Sequence, residues 1–353
     1  MRTKSVLSAV AEFSYQTGLA NVFRWVGNFL QLRRDSAARV TFPYVEKRQA
    51  RNFQIFTYHR LSAHPDPFFP GLPITVFEQQ IRYLTRYHRV VELGQLLRDI
   101  ERGEPIPRNA VALTFDDGYR DNYELAFPIL QEYGAPATIF LTTGFLDRHD
   151  VLWNDKICFA FKHTSKSGIA FDTGGRTYYP LKTVEDRLRA AQEILWFMRH
   201  IPHYEKVERI DQLLSNLGIS DFRYLWDTML SWEHVLSMHR QGIAFGAHTV
   251  SHPILSRLAL AQAQEEIMGS KTTIELQLGC PVELFAYPAG ASQDYTEDLK
   301  RLLVDAGFKA AVTTNFGTNT ARTDRFELRR NWMLDDPHLS GFAARILWYK
   351  FSS

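Results

Sequence analysis

Apolar and polar residues alternate along most of this chain in two rhythms that take turns. Residues 53–59, FQIFTYH, form a short continuous apolar run, the pattern of a strand covered on both faces. A helix is predicted over 75–88, with Thr75 as its N-cap. The runs VALTFDD (111–117) and ATIFLTTG (137–144) are two further strands, separated by the helical NYELAFPILQEYG. IAFGAH (243–248), ELFAYP (283–288) and KAAVTTN (309–315) add three more, each preceded by a helical segment: SWEHVLSMHRQ, LAQAQEEIMGSKTTIELQLG and TEDLKRLLVDAG. Strand–helix alternation of this kind implies a parallel sheet, either a barrel or a doubly wound sheet.

Between about residues 150 and 230 the alternation breaks. TVEDRLRAAQEILWFMRH is helical in pattern and a second helix is expected after Pro202, so this stretch is read as a helical insertion able to line a cleft. At the N-terminus, Leu19, Val22, Phe23, Val26, Phe29 and Leu30 recur at helical spacing and Arg33 and Arg34 follow them. Residues 1–52 are therefore expected to be a basic amphipathic arm in peripheral contact with a membrane, ahead of a domain spanning 53–353.

Composition changes this picture in few places. The chain has 353 residues, 45% of them hydrophobic and 23% charged, which excludes wholesale disorder. Its formal charge of +2 gives no sign of a nucleic-acid binder, but the balance is uneven. Residues 1–51 hold nine Lys/Arg against three Asp/Glu, which leaves the remainder acidic. Only Cys158 and Cys280 occur, far apart, so neither a disulfide framework nor a CxxC metal site is encoded. No stretch reaches the roughly 20 apolar residues needed to span a bilayer, and Glu12 and Gln16 interrupt any signal-peptide core. The expected location is cytoplasmic, at or near the inner membrane.

Three strand ends carry candidate chemistry. TFDDG (114–118) places two carboxylates side by side, which need a cation or a shared proton to relieve their repulsion. Alone, Asp-Gly is an ordinary turn; haloacid-dehalogenase phosphatases need aspartates separated by one residue, so the adjacent pair counts against them. HTVSH (248–252) spaces two histidines four apart, suited to one divalent ion if the segment makes a helical turn. FAYPAG (285–290) is a strand ending in a Pro-x-Gly corner and says little alone.

In this order, TFDDG, HTVSH and FAYPAG resemble the polysaccharide deacetylases with the NodB homology domain, carbohydrate esterase family 4. TYHR (57–60), FEQQIRYL (77–84) and DDGYRDNY (116–123) resemble its envelope-glycan branch. The resemblance covers about residues 53–150 and 231–331. It implies a distorted (β/α) barrel of about seven strands, and one divalent ion, Zn2+ by default with Co2+ or Ni2+ as alternatives, on Asp117, His248 and His252. It implies Asp116 as general base toward a water that attacks an amide polarised by the ion. Tyr58, Trp153, Tyr287 and Pro288 are expected on the substrate side.

Two departures stand out. The arginine that in the family holds the catalytic aspartate is replaced by Ala286, and the Leu-x-His motif that supplies a general acid becomes Leu328-Arg329-Arg330. Something else must orient Asp116 and protonate the leaving amine, and His59, ending the first strand, is the candidate. The leading expectation is hydrolysis of N-acetyl groups on an envelope glycan or its precursor. Its rivals are removal of another small acyl group, such as formyl, from a lipid-linked sugar, and an inactive carbohydrate-binding homologue.

Overall fold

Seven parallel strands form the frame that positions every residue of interest. The structure is a computed structural model and describes residues 51–148, 150–333 and 341–346; the arm segment 17–34 and His338 lie outside them. The strands are β1 (Asn52–Tyr58), β2 (Ala110–Phe115), β3 (Thr138–Leu141), β4 (Ala244–Ala247), β5 (Leu284–Ala286), β6 (Ala310–Val312) and β7 (Asn331–Trp332). Neighbours in the sheet follow that order from β1 to β6. β7 then pairs in parallel with β1, Phe56 opposite Asn331, while Leu328 just before it bridges to Val312 of β6. The segment 328–332 thus closes the ring, giving the distorted (β/α) barrel. Two short strands extend this same sheet: Arg89–Val90 pairs with β2, and Asn319–Thr320 runs antiparallel to β1.

Burial explains the apolar runs. All six residues of β2 and six of the seven in β1 are buried, as expected where helices cover a parallel sheet. Helices α1 (Ile74–Tyr87), α2 (Leu93–Glu101) and α3 (Phe127–Glu132) fill the first crossovers, α3 continuing a wider π-type turn at Asn122–Ala126. Thr75 is not the cap of α1: Pro73 holds that position and makes no side-chain cap bond. Among the described residues, no helix is long and apolar enough to cross a membrane.

The insertion is helical only in part. Helix α4 (Trp153–His163) leads into an antiparallel hairpin, Gly168–Ala170 with Tyr178–Pro180, and only then come α5 (Val184–His200) and α6 (His203–Leu217). The hairpin was hidden because its strands are three residues each and one face of each is exposed. These elements bury a core of their own, including Ile157, Phe161, Tyr179, Leu181, Ile194 and Leu213. A Thr183–Asp186 capping box starts α5. Helices α7 (Trp232–Arg240), α8 (Leu260–Leu278) and α9 (Glu297–Asp305) complete the outer layer.

Candidate active site

The sequence motifs converge on a cleft of about 560 Å³ at the C-terminal ends of the strands, walled on one side by the insertion. That is the face where parallel barrels place their chemistry. Asp116 directly follows β2, and both it and Asp117 are buried. On a strand, adjacent side chains would point to opposite faces. Here Asp117 itself adopts the left-handed conformation (φ 73°), and so does Gly118, so the chain turns and both carboxylates enter the cleft. A non-glycine residue in that region is strained, and such strain is commonly held at functional sites.

The histidine loop uses the same device. It is not the helical turn expected from the spacing of four. Thr249 (φ 69°) and His252 (φ 58°) are both left-handed, and the loop is irregular. It is pinned instead by Glu266 of α8, whose Oε2 accepts the N–H groups of Val250 and Ser251, each at 2.8 Å, while Oε1 accepts the Ser251 hydroxyl at 2.6 Å. Gly144 lies under the loop, donating to the Val250 carbonyl at 2.8 Å. A Cβ there would come within 2.6 Å of that same oxygen, so no other residue fits.

These two loops bring Asp117 Oδ1 to 3.5 Å from His248 Nε2 and 3.3 Å from His252 Nε2. Nδ1 of His248 donates to the Ala286 carbonyl at 2.7 Å, which leaves Nε2 facing Asp117. Asp117 Oδ1 is buried and receives no hydrogen bond. Three ligand atoms, one from each residue, lie within 4.8 Å of one another. Atoms about 2.0–2.1 Å from a tetrahedral zinc lie roughly 3.4 Å apart, so this donor set fits one small divalent ion. Burial pushes the Asp117 carboxyl up, but the contact with His248, whose own pKa the two carboxylates raise, more than reverses it and holds Asp117 well below the usual range. Burial drives His252 down to about 3, so it is neutral, as a ligand must be.

Asp116 has a different partner, and it is the one that the sequence concealed. Arg330, fully buried, forks onto it with Nη1–Oδ1 and Nη2–Oδ2 both at 2.7 Å. The guanidinium also donates through Nε to the Thr313 carbonyl at 2.9 Å. Burial raises the Asp116 carboxyl, and the Arg330 charge, aided by His248, outweighs it, so Asp116 stays ionised with a lowered pKa. The residue that seemed to mark a loss is therefore the one that orients Asp116. A signal existed: Leu328 and Arg330 sit two apart in an extended segment, so both face inward, and a buried arginine needs a carboxylate.

His59 lies at the same carboxylate, Nε2 3.7 Å from Asp116 Oδ2, its ring stacked on Trp332 with centroids 4.8 Å apart. Tyr58 does not join it. Being next in the strand, it faces the other way, packs on Phe77 and Phe115, and donates its hydroxyl to Gln80. The expectation of Tyr58 at the substrate is corrected accordingly. Pro288 is likewise buried off the cleft, whose lining at that corner is Tyr287, Ala289 and Ala291. Tyr287 presents its ring only, since its hydroxyl is given to the Phe326 carbonyl at 3.1 Å. Trp153 lines the cleft and carries the Lys206 ammonium 4.8 Å over its ring.

A second buried group sits on the insertion side. Arg60 reaches Asp121 at 3.4 Å and Asp155 at 4.0 Å, and its guanidinium lies over Tyr119, 4.5 Å from the centroid. Asp121 in turn accepts the Leu61 N–H and the Asn122 amide, which also holds the His59 carbonyl at 2.8 Å. This is what the DDGYRDNY stretch does: it fixes the loop that carries His59. Cys158 and Cys280 are free thiols.

Comparison with known proteins agrees with this geometry. The polysaccharide deacetylase family model matches residues 103–311. A Bacillus subtilis (strain 168) protein named as a polysaccharide deacetylase, YxkH, is 21% identical over 305 residues, covering 86% of this chain and 78% of its own. The poly-β-1,6-N-acetyl-D-glucosamine N-deacetylase of Escherichia coli (strain K12) is 36% identical, but over 73 residues only, 20% of this chain and 11% of that protein. The Streptococcus pyogenes deacetylase PplD, solved in complex with acetate, shares the fold with a TM-score of 0.57 at 19% identity, over 84% of this chain and 99% of that one. With its barrel and its matched span together, this chain belongs to the polysaccharide deacetylase family.

Proposed function

We propose that this protein hydrolyses the N-acetyl group of a sugar in a cell-envelope glycan or its precursor, with a divalent ion held by Asp117, His248 and His252. The observation that carries the reading is the juxtaposition of that electron-rich triad with an ionised Asp116 clamped by Arg330 in one cleft. When bound, the ion supplies Lewis acidity, polarising the amide carbonyl and making water a better nucleophile near neutral pH.

The chain's own residues do the rest. Asp116 accepts the proton of the attacking water, and the Arg330 fork fixes which way its oxygens face. His59, between Asp116 and Trp332, returns a proton to the departing amine, since a guanidinium is a poor proton donor. Release of acetate from a β-1,6-linked N-acetylglucosamine oligosaccharide, measured with and without chelator, tests the reading. Acetate release that chelator abolishes and zinc restores is expected; release untouched by complete metal removal would overturn the role of the triad.

A further inference from the structure

The mouth of the cleft has a chemistry that deacetylation alone does not call for. Arg199 and His200 end helix α5, and Arg257 follows the histidine loop on a different element. All three line the cleft and are exposed. They meet there: Arg257 Nη1 lies 3.4 Å from the His200 carbonyl. Trp196, 65% exposed, packs its ring 4.2 Å from that of His200 and also lines the cleft. Among the described residues, neither Arg199 nor Arg257 has a carboxylate within 4.0 Å, whereas Arg60 in the cleft and the fully buried Arg330 both do. Asp294, which lines the same cleft and feels both arginines, is buried and spends Oδ2 on the Ala291 N–H. Behind Trp153, Lys206 is 4% exposed and likewise has no carboxylate within 4.0 Å among the described residues.

One of these cations, Arg199, complements the carbonyl end of α5, a common use of basic residues. That does not account for Arg257 or Lys206, which come from other elements and add charge of the same sign. Asp116, Asp117 and Asp155 also line the cleft, but each faces a guanidinium or imidazole, which leaves the arginines at the mouth to act on whatever enters.

We propose that Arg199 and Arg257 form a subsite for an anionic substituent, carboxylate or phosphate, on a sugar ring that stacks on Trp196. The proposal rests on the deacetylase reading and narrows its substrate class to acidic glycans or sugar phosphates. It also has a consequence for the product. Each N-deacetylation turns a neutral amide into an ammonium, which this mouth repels, so a chain already deacetylated nearby is a poor substrate.

The test uses the zinc-loaded full chain and three probes: N-acetylglucosamine, its 1-phosphate, and N-acetylmuramic acid, whose side chain ends in a carboxylate. Affinity is read by calorimetry at low and high salt, and acetate release is read separately. The expected result is at least tenfold tighter binding of one or both acidic probes at low salt, shrinking as salt rises. Which acid is preferred names the source of the charge. Arg199→Gln and Arg257→Gln should each cut the preference about threefold, and the double variant should bring it below about twofold. Trp196→Ala should weaken all three probes alike, separating ring from charge. Equal affinity for neutral and acidic probes in the parent, or a preference that survives the double variant, overturns the subsite. If the affinity preference is present but no probe yields acetate, the deacetylase reading fails and the anion site stands.

Discussion

Two pairs of carboxylates lie at or beside the same cleft, and they end in opposite states. Asp116 and Asp117 are held low, while Asp121 and Asp155 are pushed up to about 6. Burial is the leading influence on all four and acts in the same direction. What differs is the partner. Asp116 owns a guanidinium in a two-pronged fork at 2.7 Å, and Asp117 faces two imidazoles. Asp121 and Asp155 divide one guanidinium at 3.4 and 4.0 Å, so neither is fully compensated. Charge-assisted forks beat desolvation; shared and longer contacts do not.

The sharpest way to break the first pair is Asp116→Asn. Loss of the base with the triad intact should lower kcat about 10³-fold while zinc content stays near the parent's; retention of both activity and metal would remove Asp116 from the mechanism. Arg330→Gln comes next. It leaves a buried carboxylate without its fork, and a loss of about 3 kcal/mol or more in unfolding free energy is expected together with about a hundredfold lower kcat. Denaturant unfolding and steady-state kinetics on the same preparation check both, and a normal rate would return Arg330 to a purely structural part.

The second pair makes a prediction about pH. A carboxyl whose folded pKa is raised stabilises the protein fully below its unfolded value near 4, and that contribution is lost as pH rises through the folded value near 6. Asp155→Asn removes one such group, so it should flatten the fall in stability between about pH 4 and 6 and raise the melting temperature at pH 7. The gain at pH 7 is of order 3 kcal/mol, set by a shift of about two units. Unchanged pH dependence would mean Asp155 is ionised at no cost. Glu266→Gln, the mildest of these, keeps one acceptor for the histidine loop and should weaken zinc affinity about tenfold, as measured by competition with a chromophoric chelator. His59→Gln bears on how Asp116 is used: loss of the alkaline limb of the pH–rate profile fits a proton donor, and uniform loss fits an orienting role.

How much of this was legible depended on the range of the interaction. Six of the seven strands and the site at their C-terminal ends follow from apolar runs and from motifs in which neighbouring residues act together. Asp116 and Asp117 were legible as a pair, but not the left-handed backbone that lets both enter one cleft. The resemblance of TYHR places both Tyr58 and His59 at the site, yet a strand sends neighbours to opposite faces, which puts Tyr58 in the core.

What the sequence by itself determined is therefore local and periodic: a parallel α/β sheet, barrel or doubly wound, an insertion between its third and fourth strands, and ligand types that suit one divalent ion. Only the tertiary structure decided the electrostatics. Arg330 meets Asp116 across 214 positions because β7 closes the ring beside β1, and no local pattern encodes that closure. The same folding gives Arg60 two carboxylates to share and leaves Arg199 and Arg257 at the cleft mouth with none within 4.0 Å among the described residues. Hydrophobic periodicity reports which face of an element is buried. The state of a charge depends on which other charges are brought within a few ångströms, and that is settled when distant segments pack.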